Sequence, residues 1–135
     1  MSLSEYTSAP SWQWSASGLD GARLQLRIDG ALVGRLTLID VGRPWIELRD
    51  LYVEPEQRGR QHGQRLIALA MQRALAMRKR HIRLVVEDDG TARLRAWYIG
   101  LGFYGVGIDR RGRPILEGAL QRQHAFSRAC GQKED

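Results

Sequence analysis

The chain has 135 residues, is 43% hydrophobic and carries a formal net charge of +6, from 21 Lys+Arg against 15 Asp+Glu. That length suits one domain (1–135) with a single core, and no apolar run approaches the roughly 18 residues that span a bilayer. The N-terminal MSLSEYTSAPSWQW has neither a basic start nor an apolar core, and the one cysteine, Cys130, has no internal disulfide partner, so a cytoplasmic protein without a secretory signal is expected.

Taken in order, residues 1–21 are polar, with Trp12 and Trp14 alternating against polar neighbours as in a short strand, and residues 17–21 read as a turn. From Ala22 to Ile28, Leu24, Leu26 and Ile28 alternate with Arg23, Gln25 and Arg27, the pattern of a half-buried strand. Asp29-Gly30 is a hairpin turn, and residues 31–41 supply the next strand. Gly42-Arg43-Pro44 turns the chain into a strand over 45–53, rich in aromatic and aliphatic residues. A loop over 54–63 contains Pro55, Gly59, Gly63 and two arginines. Leu66, Ile67, Ala70, Met71, Ala74 and Met77 then recur at helical spacing. The basic run Arg78-Lys79-Arg80 closes that helix, where cations are favourable, and reads as a solvated helix end.

Residues 82–86 (IRLVV) form a short apolar strand that should lie centrally and run parallel to the strand before the helix. Residues 87–91 read as a turn and helix cap, Leu94, Trp97, Tyr98 and Leu101 mark a second helical face, and Gly102 terminates it. Strands are expected over 103–106 and 115–120 around a turn at 109–114, followed by a polar tail over 121–135. Cys130 sits in that tail without a His and Asp pattern beside it, and His81 and His124 are isolated. Neither a cysteine acyltransferase nor a metal site is expected.

The junction over 45–74 concentrates the chemistry. A strand runs into a basic, glycine-bearing loop, and the loop opens a helix. The first N–H groups of a helix have no intrahelical partner, and the dipole adds positive charge there, so a phosphate fits that end. Glycine-rich turns before helices are also common as plain surface turns, and these residues alone leave both readings open.

The stretch Leu51-Tyr52-Val53, Pro55, Arg58-Gly59-Arg60-Gln61-His62-Gly63 resembles motif A of the GNAT superfamily of acyl-CoA-dependent N-acyltransferases. The family pattern is L-x-V, P, then (Q/R)-x-x-G-x-(G/A). Gln61 stands where its first glycine is expected, a departure that restricts φ and adds bulk at the pyrophosphate. Thr91 to Phe103 is similar to motif B, N-x-x-A-x-x-(F/L)-Y-x-x-x-G-F, through Trp97-Tyr98 and Gly102-Phe103. Thr91 replaces its asparagine and Leu94 its alanine. The resemblance covers about 22–120.

What the resemblance implies is an α/β (α+β) fold. A mixed, mostly antiparallel sheet of six to seven strands would carry a parallel pair at the CoA site, flanked by two main helices. The implied co-substrate is acetyl-CoA. Backbone amides of Leu51, Tyr52 and Val53 would hold the acyl carbonyl and pantetheine. Amides of Arg58, Gly59, Arg60, Gln61, His62 and Gly63, with nearby Gln64, would cradle the pyrophosphate. Tyr98 would be the general acid toward the thiolate, and Glu47 the base position, with Asp50 and Glu87 as further carboxylates. Successive strand residues alternate faces, so Glu47 and Asp50 share a face only across a bulge.

Only about 21 residues precede Ala22, room for a short strand rather than the family's two N-terminal helices. The acceptor side is therefore expected to be open, or completed by Trp12, Trp14, the tail or a second subunit. An open site favours a protein or peptide amine, or a pocket completed by a dimer, and the basic surface argues against polycations such as polyamines and aminoglycosides. The acceptor, a protein, peptide or small primary amine, is not identified. Two other readings follow from the same residues: a CoA-binding interaction protein of weak activity, and a small basic nucleic-acid-binding module. The absence of zinc-finger or RNA-recognition patterns stands against the last.

Overall fold

The computed structural model describes residues 10–87 and 92–120. Its strands are β1 (Pro10–Ala16), β2 (Gly21–Ile28), β3 (Ala31–Asp40), β4 (Trp45–Val53), β5 (His81–Val85), β6 (Tyr104–Ile108) and β7 (Pro114–Ala119). The helices are α1 (His62–Ala76), entered through a 3-10 turn at Pro55–Gln57, and α2 (Arg93–Gly100). The seven strands form one sheet in the order β1-β2-β3-β4-β5-β7-β6. β4 and β5 are parallel, with Trp45↔His81, Ile46↔Ile82 and Glu47↔Arg83 in register, as the strand–helix–strand order requires. Among the described residues, no helix precedes β2.

The chain divides into two compact units. The first holds the described part of Met1–Ile39 together with Leu48–Ala70. Trp14 lies opposite Leu24 in the β1–β2 register, and Leu24 opposite Leu36 in the β2–β3 register. Leu24, Leu26, Leu36 and Leu66 are fully buried. Gly34 fits this packing closely: a Cβ there would meet Leu66 Cδ1 and the Tyr52 carbonyl oxygen, both at 3.3 Å, and each would have to give by a few tenths of an ångström. The Glu54 N–H donates to the Val33 carbonyl at 2.8 Å, so the end of β4 lies beside the start of β3, as in an antiparallel pair.

The second unit holds Asp40–Glu47 and the described part of Met71–Asp135. Its core is Ile46, Ala74, Ile82, Leu84, Val86, Tyr98, Phe103 and Leu116. Tyr98 meets Phe103 edge-to-face at 5.5 Å between centroids. Gly118 makes room for that ring, since a Cβ would meet it at 3.0 Å.

Several boundaries differ from the sequence expectation. Helix α1 begins at His62, so His62, Gly63 and Gln64 belong to its first turn rather than to the loop. It ends at Ala76, and Met77, expected on the buried face, is 39% exposed. Strand β6 runs later than expected because Phe103 is spent as a core residue. Helix α2 is capped by Ala92 in a left-handed conformation (φ 61°) with no side-chain cap bond, not by a turn residue before it. Of its expected apolar face, only Tyr98 is buried. The Arg78-Lys79-Arg80 run is not simply solvated. Lys79 Nζ donates to Asp40 Oδ1 at 2.7 Å and to the Arg43 carbonyl at 2.8 Å, tying the α1–β5 turn to the β3–β4 turn. The hydrogen bond from Lys79, with that from the Gly42 N–H, holds the Asp40 carboxyl below its ordinary range. Thr91, His124, Cys130 and the tail lie outside the described residues.

Candidate active site

Strand β4 changes character along its length. Ile46 and Leu48 alternate as buried residues, then Arg49 and Asp50 are both exposed. Asp50 has a left-handed backbone (φ 59°), and this kink breaks the alternation. Beyond it, Leu51, Tyr52 and Val53 are all half-buried.

The loop that follows is braced by its own backbone. Gln57 N–H donates to the Glu54 carbonyl at 2.8 Å, and Arg58 N–H to that of Pro55 at 3.3 Å. The Arg58 side chain folds back, its Nε donating to the Val53 carbonyl at 2.8 Å. Gly59 (φ 80°) and Gln61 (φ 66°) both take left-handed conformations, and helix α1 starts at the next residue. A non-glycine residue there costs about 1 kcal/mol or more, so the loop holds Gln61 against its own preference. The expected consequence of the substitution, a restricted φ, is overridden: Gln61 adopts a left-handed conformation that glycine takes without strain.

The electrostatics suit an anion. The N-terminus of α1 contains no acidic residue in its first turn. Arg60 and Arg65 flank His62, whose two ring nitrogens are shielded from solvent and make no hydrogen bond. Burial, then the charges of Arg65 and Arg60, push the His62 imidazole below its usual 6.5, so it is neutral at pH 7.

Leu51 to Val53 and Arg58 to Gln64 thus fall in one compact unit, and Glu47 and Tyr98 in the other. Glu47 is half-buried with its Oε1 shielded from solvent. Tyr98 is 4% exposed, and burial raises its phenol well above the ordinary 10.0. It therefore keeps its proton across the physiological range and is a weaker acid than a free phenol. Among the described residues, no group of three or more His, Cys, Asp or Glu side chains could hold a metal ion. No described helix is long and apolar enough to cross a membrane.

Residues 2–103, which include this strand, loop and helix, match the model of the acetyltransferase (GNAT) family. The chain belongs to the GNAT acetyltransferase family. No curated protein sequence matches it. Among solved structures, it is similar to the PaiA N-acetyltransferase of Thermoplasma acidophilum in complex with coenzyme A, at 25% identity and TM-score 0.67. That match covers 75% of this chain and 62% of the Thermoplasma chain, so the present chain spans under two thirds of that relative. A GNAT-family acetyltransferase from Staphylococcus aureus Mu50 is 16% identical, with TM-score 0.66 and coverage of 75% and 68%. An aminoglycoside 6′-acetyltransferase type Ii is 22% identical, with TM-score 0.68 and coverage of 77% and 72%. The last two likenesses speak to the GNAT fold alone.

Sequence reasoning passed over one residue beside this GNAT loop. Arg35, on β3, lies with its guanidinium carbon 4.9 Å from the centre of the Tyr52 ring, and that of Arg58 lies 5.6 Å from the same ring. The available signal was its place in the strand alternation, between the buried Gly34 and Leu36.

Proposed function

We propose that this GNAT chain transfers an acetyl group from acetyl-CoA to a primary amine by direct attack on the thioester. The observation that carries this reading is the left-handed Gln61. A residue that disfavours this conformation nevertheless adopts it, at the position where the family uses glycine to approach a pyrophosphate.

In this reading the amides of Leu51, Tyr52 and Val53 hold the acyl carbonyl and pantetheine. Those of Arg58 to Gly63, with Gln64, hold the pyrophosphate at the start of α1. The amine nitrogen forms a bond to the carbonyl carbon, and the carbon–sulfur bond breaks. Glu47, directly or through water, takes the proton lost by the amine. Tyr98 gives its proton to the leaving thiolate and regains one from solvent. Support for the last role comes from the place of Trp97-Tyr98 and Gly102-Phe103 in the motif-B pattern; burial raises the phenol above its ordinary range and so makes it a weaker acid. The family's functional breadth leaves the acceptor to the site itself.

Thiol release measured over an amine panel tests this. Tyr98→Phe should lower kcat about a hundredfold, the usual scale of a general acid, with acetyl-CoA affinity little changed. Equal turnover by Tyr98→Phe would remove Tyr98 from the chemistry. Glu47→Gln should lower kcat about a hundredfold with acetyl-CoA affinity little changed, and equal turnover would eliminate it as base.

A further inference from the structure

Tyr52 is the centre of a cationic feature whose side chains are not among the backbone groups assigned to the cofactor. The guanidinium groups of Arg35 and Arg58 both approach its ring, at 4.9 and 5.6 Å. Neither stands among the arginines ion-paired to a described carboxylate in the pairs Arg83–Glu117, Arg113–Glu87 and Arg113–Asp109. Arg35 is half-buried, so its charge is partly stripped of water without an anion to replace it. Two like charges gathered on one ring, with no acid between them, form a receptor for an anion.

Stacking uses the face of a guanidinium and leaves its in-plane N–H donors available. Arg58 spends Nε on the Val53 carbonyl and keeps its terminal nitrogens. Such forks match the two oxygens of a carboxylate.

The location relates this feature to the reaction. Tyr52 lies inside the tripeptide assigned to the acyl carbonyl. Val53 Cγ2 and Leu66 Cδ1 both border Gly34, at 3.7 and 3.3 Å from where its Cβ would be, so helix α1 covers the Val53 side of the strand. Successive strand side chains point to opposite faces, which puts Tyr52 on the side away from that helix. An amine approaching the carbonyl from there passes Arg35, Tyr52 and Arg58.

We propose that the acceptor is an amine that also carries a carboxylate, an amino acid or a close analogue. Arg35 and Arg58 bind the carboxylate beside Tyr52 while the amine attacks the acetyl carbonyl. The carboxylate is unchanged by the reaction, and the products are the N-acetyl acid and CoA thiol. This inference rests on the acetyl-transfer reading above.

The test is acetyl-CoA-dependent thiol release with the common amino acids, each beside its own carboxamide, together with spermidine and a short uncharged peptide. One charge-assisted contact is worth tenfold or more in kcat/KM, so the acids should exceed their amides by about that factor. Arg35→Met should bring the ratio toward one, chiefly through KM, whereas Arg35→Lys should restore part of it. Amides or spermidine turned over as well as the acids would overturn the proposal while leaving acetyl transfer intact. So would loss of acetyl-CoA binding in Arg35→Met, which would assign the pair to the cofactor's phosphates. No turnover of any amine by the wild-type protein would defeat both readings together.

Discussion

The protein builds an arginine–aromatic cluster twice, once in each compact unit, and finishes them differently. In one, Arg83 stacks on Trp45 at 3.8 Å and donates to Glu117 Oε1 from Nε at 3.1 Å and from Nη2 at 2.7 Å. Tyr104 donates to the other oxygen of Glu117 at 3.1 Å, and His81 Nε2 stands 3.5 Å from it. The Glu117 side chain is 10% exposed, and its oxygens are fully used. In the other, Arg35 and Arg58 meet Tyr52 with no acid among the described residues paired to them. The stacking chemistry is shared. The carboxylate supplied by the chain makes the first a structural tie across β4, β5 and β7, and its absence leaves the second ready for a ligand.

Breaking the closed cluster should have the largest effect. Glu117→Gln strands Arg83 in a partly desolvated site and should cost about 2–3 kcal/mol in urea unfolding. Arg83→Met combined with Glu117→Gln should recover part of that loss, because no charge is then left unpaired. Full additivity of the two changes would show that the pair is not coupled.

Acid should open the same cluster. Burial pushes the Glu117 carboxyl up, but the Arg83 hydrogen bond, the His81 charge, the Tyr104 hydrogen bond and the Arg83 charge outweigh it. The group therefore sits below its ordinary 4.5. The unfolded chain binds its proton first as pH falls, so this stabilisation is present above pH 4.5 and is lost as pH drops through the lowered folded value. The wild-type urea midpoint should fall more steeply than that of Glu117→Gln in that window. Parallel curves would contradict the assignment.

The open cluster can be closed by design. Gln25 lies directly opposite Arg35 in the β2–β3 register. Gln25→Glu places an acid beside Arg35 and should stabilise the fold by about 0.2–1 kcal/mol, the scale of a cross-strand ion pair. It should also erase the preference for carboxylate-bearing amines, making this cluster resemble the other. A retained preference would mean that Arg35 does not meet the substrate. Smallest of all, Arg35→Met should shift unfolding by only about 0.5 kcal/mol, since it removes no completed ion pair. A loss near that of Glu117→Gln would show that the two clusters are alike.

The sheet was largely legible in the sequence because half-buried strands advertise themselves. Leu24 and Leu26 alternate with charged or amide neighbours, and the parallel β4–β5 pair follows from the helix between them. The start of α1 was not legible, because a histidine and a glycine open it and resemble loop. Lys79 was misread because its partner, Asp40, lies 39 residues away. Within the site, the motif identified the loop, but not the backbone of Gln61. Side-chain preference argues against φ 66°, and the surrounding hydrogen bonds prevail. Arg35 and Tyr52 meet across strands, a contact that no local periodicity reports.

Everything proposed for the acceptor depends on the cofactor loop, and calorimetric titration with acetyl-CoA tests that loop most directly. The wild-type protein should bind in the micromolar range, as Gln61 already holds a left-handed conformation open to glycine. Gln61→Gly should bind similarly or somewhat tighter, with unfolding stability changed by no more than about 1 kcal/mol, relief of strain being offset by the freer unfolded chain. No binding by the wild type, or binding only after Gln61→Gly, would contradict the claim that the loop retains its function despite the missing glycine.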